Sequence, residues 1–426
     1  MKVLNWDTAE AKEILARKQG QLLEVEEKVR SIVEKVRIDG DAALKEYTAQ
    51  FDGARMEVIA VGEEDWEEAY SKVDEDFLKA IRRAKDNIEK FHLKQKEKSW
   101  LEPDAEGSML GQLILPIQRA GIYVPGGTAA YPSSVLMNAV PAKVAGVEEI
   151  VMVTPPAKDG SINPHTLVAA KETGVNEAYK VGGAQAVAAL AYGTESIRVV
   201  DKITGPGNIF VTTAKKIVYG QVDIDMLAGP SEILIVADES ARADYLAADM
   251  LSQAEHDRLA ASVLVTNSEL LAEKVQAELM LQLERLPRRE IAAASLEEQG
   301  AVIICKSIQE CIEAANTYAP EHLEVVVENP FDWLPRIRNA GAIFLGSYAP
   351  EPVGDYFAGP NHVLPTGGTA RFYSPLNVAT FMKKSSIISY SREALLHNAA
   401  DIIKLARTEG LEAHARAVEV RVDHES

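Results

Sequence analysis

From about residue 110 onward the chain repeats one pattern: a short apolar run, a glycine-marked turn and a helical stretch. The runs are LILPI, GIYVPGG, EEIVMVTPP, YKVGGAQAVAALAYG and VVDKITGPGN, then EILIVAD and SVLVT, with AVIIC, LEVVV and AIFL later. Short apolar runs bounded by turn residues read as buried strands. Their alternation with helices predicts a largely parallel sheet covered by helices on both faces. A second alternating block after residue 231 predicts a second α/β unit, which the N-terminal helices are available to complete. With 426 residues the chain is too long for one ordinary core, so two or more domains are expected.

The first hundred residues read differently. Leu22, Val25, Val29, Ile32, Val33 and Val36 keep the three-and-four spacing of one buried helix stripe. Gly40 closes that helix, and Asp41 is placed to cap the next. Residues 63–98 form another charged helical region. Beyond Ser374 the pattern loosens, and a helical tail over 392–407 leads to a polar end.

Acids outnumber bases, 64 against 45, for a formal charge of -19. That field repels nucleic-acid backbones and anionic membrane surfaces, so neither is expected as a partner. The two cysteines, Cys305 and Cys311, sit among apolar neighbours and read as core; two cysteines build no disulfide framework. The opening residues hold no signal-peptide pattern, and no run is long enough to span a membrane. A cytoplasmic protein is expected.

Three glycine turns precede helical runs: Gly126–Gly127 after IYVP, Gly182–Gly183 before AQAVAALA, and Gly205, Pro206, Gly207 and Asn208 before IFVTTAKKIV. Such a turn presents free N–H groups and the positive end of a helix dipole, which suits a phosphate. None fits the spaced dinucleotide fingerprint, since Phe210 stands where a third glycine is wanted. Each taken singly is equally a tight connection between strand and helix.

Gln253 and His256 lie on one face of the helix ARADYLAADMLSQAEHD. A pair like this at a helix end is more often solvated surface than a metal site. Asp355 falls in the Gly- and Pro-rich stretch PEPVGDYFAGPNHVLPTGG, read as irregular, and His414 near the end in TEGLEAHARAV. Together an amide oxygen, two imidazoles and a carboxylate would suit zinc. Glu321–His322 precedes the strand LEVVV, where a base active near neutrality and a carboxylate able to activate water stand side by side. His362 shares the Asp355 loop and is a candidate substrate contact. His92, His165, His397 and His424 read as surface.

These segments together resemble the histidinol dehydrogenase family. The matching stretches are RAGIYVPGGTAAYPSSVLMNAVPAKVAGV, KVGGAQAVAALAYGTE, VDKITGPGNIFVTTAKK, AGPSEILIVAD, LSQAEH, YAPEHLE, GDYFAGPNHVLPT and EGLEAHA, in order over most of residues 115–415. The first hundred residues match only in general character. The resemblance implies zinc ligands at Gln253, His256, Asp355 and His414, and a catalytic pair at Glu321 and His322. It implies substrate contacts at Ser231, His362 and Glu409 as well as at those six, and NAD contacts at Tyr123, Gln185 and Asn208.

The implied fold is α/β, with two Rossmann-like parallel-sheet domains, an N-terminal helical segment and an extended C-terminal tail. The expected division is an N-terminal segment 1–20, a first discontinuous α/β domain over 21–122 and 231–376, a second over 123–230, and a tail over 377–426. The implied reaction is oxidation of L-histidinol through L-histidinaldehyde to L-histidine, the last steps of histidine biosynthesis, reducing two NAD, with zinc positioning the substrate. The family is homodimeric, with Glu409 and His414 expected to act across the interface. Three rivals stay open: a relative acting on another alcohol, a zinc hydrolase in which Glu321 activates water, and a non-enzymatic metal-binding module.

Overall fold

The structure, a computed structural model, describes residues 1–16, 23–126 and 130–422. Leu22, Gly127 and His424 lie outside the described residues. The described residues form two compact units, one drawn from residues 1–95 and 117–381, the other from residues 96–116 and 382–422.

The first unit begins with strand β1 (Lys2–Asn5) and helix α1 (Ala9–Ala16), followed by the long helix α2 (Leu23–Phe51). The buried stripe expected on α2 is present: Val29, Ile32, Val33 and Val36 are all buried. Gly40 breaks the helix at φ 52, ψ -131, a left-handed conformation that costs glycine little. A Cβ there would lie 2.3 Å from a carboxylate oxygen of Glu195. The Asp41 side chain accepts bonds from the N–H and hydroxyl of Ser196. Helices α3 (Glu63–Ser71) and α4 (Glu75–Leu93) follow, and the Asp74 side chain caps α4 by accepting the Phe77 N–H at 2.7 Å.

Strands β2 (Trp100–Pro103) and β3 (Met109–Pro116) belong to the second unit. In the first unit, β4 (Arg119–Tyr123), α5 (Pro132–Ala145), β5 (Glu149–Thr154), α6 (Pro164–Thr173), β6 (Glu177–Lys180), α7 (Gly183–Tyr192), β7 (Lys202–Thr204), α8 (Ile209–Val218) and β8 (Asp223–Ile224) build a parallel sheet ordered β6-β5-β4-β7-β8. The order reverses between β4 and β7, and such reversals open a crevice at the carboxyl ends of the strands. At the opposite edge, Arg119 ties together the starts of three strands, pairing with Glu149 and, at 2.6 Å, with Glu177.

A second parallel sheet uses β1 with β9 (Glu232–Ala237), β10 (Ala261–Thr266), β11 (Ala301–Ile304), β12 (His322–Val326) and β13 (Ala342–Leu345), ordered β1-β11-β10-β9-β12-β13. Its connections include α9 (Ala243–Ala254), α10 (Glu269–Leu283), α11 (Arg289–Glu298) and α12 (Ile308–Tyr318), and α13 (Glu351–Tyr356) comes after β13. Strand alternation divides its core in two. Ile233 and Ile235 pack with Leu246 and Met250 of α9 on one face, while Leu234 and Val236 pack with Cys311 and Ile312 of α12 and Leu15 of α1 on the other. Cys305 and Cys311 are buried and unbridged, as expected.

The expected division placed residues 21–122 with this second sheet. Instead Val29, Ile32 and Val36 of α2 share a core with Val187 and Leu190 of α7 and Val211 of α8, on the first sheet. Periodicity shows that a stripe is buried but not against which sheet.

In the second unit, β14 (Met382–Ser389) pairs antiparallel with β3, which also pairs antiparallel with β2. LILPI therefore lies in an antiparallel ribbon rather than in the parallel alternation. The tail carries a strand before its helices α14 (Arg392–Thr408) and α15 (Glu412–Val422). Among the described residues no helix is long and apolar enough to cross a membrane.

Candidate active site

The expected catalytic pair stands where β12 begins beside β9, with His322 in register with Ile233. Ala319 ends α12 in a left-handed conformation, φ 53, and the chain then turns into β12 through Pro320 and Glu321. That irregular turn puts both side chains of the pair in one place, the Glu321 carboxylate 3.6 Å from Nδ1 of His322. Glu321 and Glu232 brace each other: each backbone N–H donates to the other's carboxylate, at 2.8 and 3.1 Å.

Nδ1 of His322 lies 3.1 Å from the Glu232 carbonyl oxygen, an acceptor only, so a neutral ring places its proton there and leaves the Nε2 lone pair open. Nε2 lies 3.6 Å from the Asp355 carboxylate, and Glu351 is 3.9 Å from Nδ1. Burial works against the charged imidazolium, but Glu351, Glu321 and Asp355 outweigh it and push His322 up to about 10.

Asp355 was expected on an irregular loop; it lies in the short helix α13, which also carries Glu351. One ligand atom each from His256, Glu351 and Asp355 falls within 4.8 Å of the others. His256 follows the end of α9, and Gln253 lies in that helix's last turn. Gln253 is fully buried and both its amide atoms lack a hydrogen-bond partner, which is costly unless something else engages them. An orphaned amide, an imidazole and two carboxylates form a donor set that fits a divalent cation such as zinc. His362 holds its Nδ1 3.0 Å from the Asp355 carbonyl oxygen. Ser231 immediately precedes β9 at the same edge. Glu409 and His414 belong to the second unit, where both are exposed, Glu409 at the end of α14 and His414 in α15.

The three residues expected to contact NAD gather at the carboxyl ends of the first sheet. The Tyr123 hydroxyl, at the end of β4, accepts the Gly183 N–H at 3.0 Å. Gln185 is 1% exposed in the first turn of α7, and both its amide atoms lack partners. The Asn208 side chain caps α8, accepting from the N–H groups of Phe210 and Val211. Gly205, at φ 114, allows β7 to approach β4 so closely that a Cβ would lie 2.1 Å from the Tyr123 carbonyl oxygen. Two orphaned amide atoms beside helix N-termini at a reversal of strand order fit a dinucleotide.

Sequence reasoning missed Glu232 and Glu351. Glu232 opens the apolar run EILIVAD, and a carboxylate in a buried strand is itself a signal of a partnered role. Glu351 was hidden by its flanking prolines, which suggested a loop. His92 was read as surface but is fully buried on α4, its Nδ1 2.8 Å from the Ile88 carbonyl oxygen.

The sequence model of histidinol dehydrogenase matches residues 15–422. The chain belongs to the histidinol dehydrogenase family. Family members are oxidoreductases. The enzyme of that name from Heliobacterium mobile is 59% identical over 425 residues, covering 99% of this chain and all of the other. That from Bacillus subtilis is 59% identical over 393 residues, 92% of each. The crystal structure of histidinol dehydrogenase from Elizabethkingia anophelis matches with a TM-score of 0.95 at 39% identity, over 99% of this chain and 98% of that one. An acetylating aldehyde dehydrogenase from Geobacillus thermoglucosidasius, at 16% identity and a TM-score of 0.50 over 90% and 94%, shares the fold alone.

Proposed function

We propose that this family member is a cytoplasmic, NAD- and zinc-dependent enzyme that oxidises L-histidinol through L-histidinaldehyde to L-histidine, the last steps of histidine biosynthesis. One observation carries the reading: the His322 imidazole stands 3.6 Å from the Glu321 carboxylate and 3.6 Å from Asp355, beside His256. Zinc held by Gln253, His256, Asp355 and His414 would anchor the substrate's nitrogen atoms, and NAD, one for each of the two oxidations, would accept hydride.

A divalent cation on Asp355 would offset the carboxylate charge that favours the imidazolium, and the neutral His322 takes the hydroxyl proton at Nε2, since Nδ1 faces the Glu232 carbonyl oxygen. Glu321 takes a proton from the water that hydrates the aldehyde, and His322 serves again in the second oxidation. Ser231, His362 and Glu409 contact the substrate. Tyr123, Gln185 and Asn208 hold the dinucleotide where β4 and β7 part.

The active unit is a homodimer, with Glu409 and His414 acting across its interface. The second unit's sheet supports this, exposing Trp100, Leu110 and Ile388 on one face and Leu113 and Leu115 on the other, apolar side chains of the kind partners cover. The charge of -19 speaks against nucleic acid or membrane as partner. The test supplies the purified protein with NAD and L-histidinol, following NADH by absorbance and measuring histidine. Two NADH per histidine is the expected result; NADH formed only with another alcohol would reassign the substrate.

A further inference from the structure

Two residues beyond His322 on β12 stands Glu324, a carboxyl that is 1% exposed inside an otherwise apolar run. Side chains two apart on a strand share a face, so Glu324 projects on the same side as His322. Its Oε1 accepts the backbone N–H of Glu351 at 3.0 Å. Glu351 is the first residue of α13, and the opening N–H groups of a helix have no partner within it. This bond therefore anchors the start of the short helix that carries Asp355.

The other carboxyl oxygen of Glu324 is buried without a conventional donor, and the Asp249 carboxyl lies within hydrogen-bonding reach of Glu324. Asp249 is on α9, one turn before Gln253 and on the same helix face.

We infer that Glu324 is a positioning residue that locks together the three elements carrying the site: α9 with Gln253 and His256, β12 with His322, and α13 with Asp355. Glu324 touches neither the expected ligand atoms nor the substrate. It sets the distance from the metal-bearing helices to the catalytic strand, and rests on the reading that those helices hold a divalent cation. Partners that orient metal ligands are worth about 10–100-fold in metal affinity.

The experiment measures the Zn2+ dissociation constant by chelator competition for the full chain, alongside kcat, KM and melting temperature. Glu324→Gln keeps an oxygen for the Glu351 N–H and gains an amide N–H for Asp249, so its zinc affinity is expected to stay within about threefold of the parent, well inside the loss for a broken outer partner. Glu324→Leu leaves both partners unserved, and a loss of about 10–100-fold is expected, with kcat falling as well. Asp249→Ala, at a half-buried position, covers the case in which Glu324→Leu does not fold, and should weaken zinc several-fold while the melting temperature barely moves. Unchanged zinc affinity in Glu324→Leu or in Asp249→Ala overturns the inference, as does equal damage by Gln and Leu. A parent protein that binds no zinc overturns the metal reading and this inference with it, whereas zinc-binding parent and indifferent variants overturn this inference alone.

Discussion

The backbone N–H of Glu232 donates to the Glu321 carboxylate at 2.8 Å, and the backbone N–H of Glu321 donates to the Glu232 carboxylate at 3.1 Å. The two strands that meet here thus hold each other's acidic side chains, and the carboxylate assigned to water activation has one oxygen tied down. The Gly367 N–H, 3.2 Å from the same Glu232 oxygen, adds a third segment to the brace.

Removing the brace should cost both stability and rate. Glu232→Ala strands the buried N–H of Glu321, worth about 1–3 kcal/mol when left unsatisfied, and the half-buried N–H of Gly367, worth less. Urea denaturation should show a loss of that order, with kcat reduced, whereas Glu232→Gln keeps an acceptor and should be milder. An alanine variant with parental stability and rate would show that the brace is idle.

Glu321→Gln should separate the two oxidations. The first moves a proton and a hydride and needs no activated water; the second does. Single-turnover assays should show NAD reduction on histidinol partly preserved and oxidation of supplied histidinaldehyde slowed by about a hundred- to ten-thousand-fold. Equal damage to both steps would defeat the division of roles between Glu321 and His322.

His256→Asn and Asp355→Asn should retain the fold and lose zinc. Both side chains lie at element ends outside the packed sheet core, so melting temperatures of the metal-free proteins should stay close to the parent's. Metal analysis after dialysis against a weak chelator is the readout. Full occupancy in both variants would reject the ligand assignment.

Gln185→Ala and Asn208→Ala should raise the KM for NAD and leave zinc content alone. Asn208 also caps α8, so its alanine variant carries an added stability loss of about 1 kcal/mol. Asn208→Ser keeps a cap and separates the two effects. A collapse of histidinol affinity with NAD affinity intact would misplace the cofactor.

The Arg119–Glu177 pair predicts an acid-dependent contribution to stability. The bond from Arg119 holds Glu177 at about 2, against an ordinary value of 4.5, and partial burial opposes the shift. A depressed carboxyl contributes stability above its unfolded value and loses it as pH falls toward the folded one. Melting temperatures of the parent and Glu177→Gln should therefore differ most above about pH 5 and converge toward pH 2, the window set by those two values. A constant gap across that range would contradict the linkage.

Nine of the ten apolar runs of the sequence lie in or beside parallel strands, most of them buried and so written as near-continuous apolar segments, while LILPI lies in the antiparallel ribbon. β14 was missed for the opposite reason: Lys383, Lys384, Ser385 and Ser386 face solvent in a ribbon and carry no apolar signature. His92 continues the Ile81, Ala84, Ile88 spacing of α4, so its burial was readable from the stripe rather than from its charged neighbours. Glu321 and His322 were recognisable as a motif. Their neighbours Glu351 and Glu324 were not, because each contributes through a bond between elements distant in sequence, which no local pattern records.

The two sheets present opposite helix ends at the edges proposed to take the dinucleotide and the metal. At the first, the turns lead into the amino ends of α7 and α8, the positive poles of those helices; at the second, Gln253 and His256 occupy the carboxyl end of α9, the negative pole. Charge sign alone is thus a sorting rule for ligands. A library divided into anions and cations should partition between the two edges before any shape is considered, and a compound meant to reach only the chemistry should carry no phosphate.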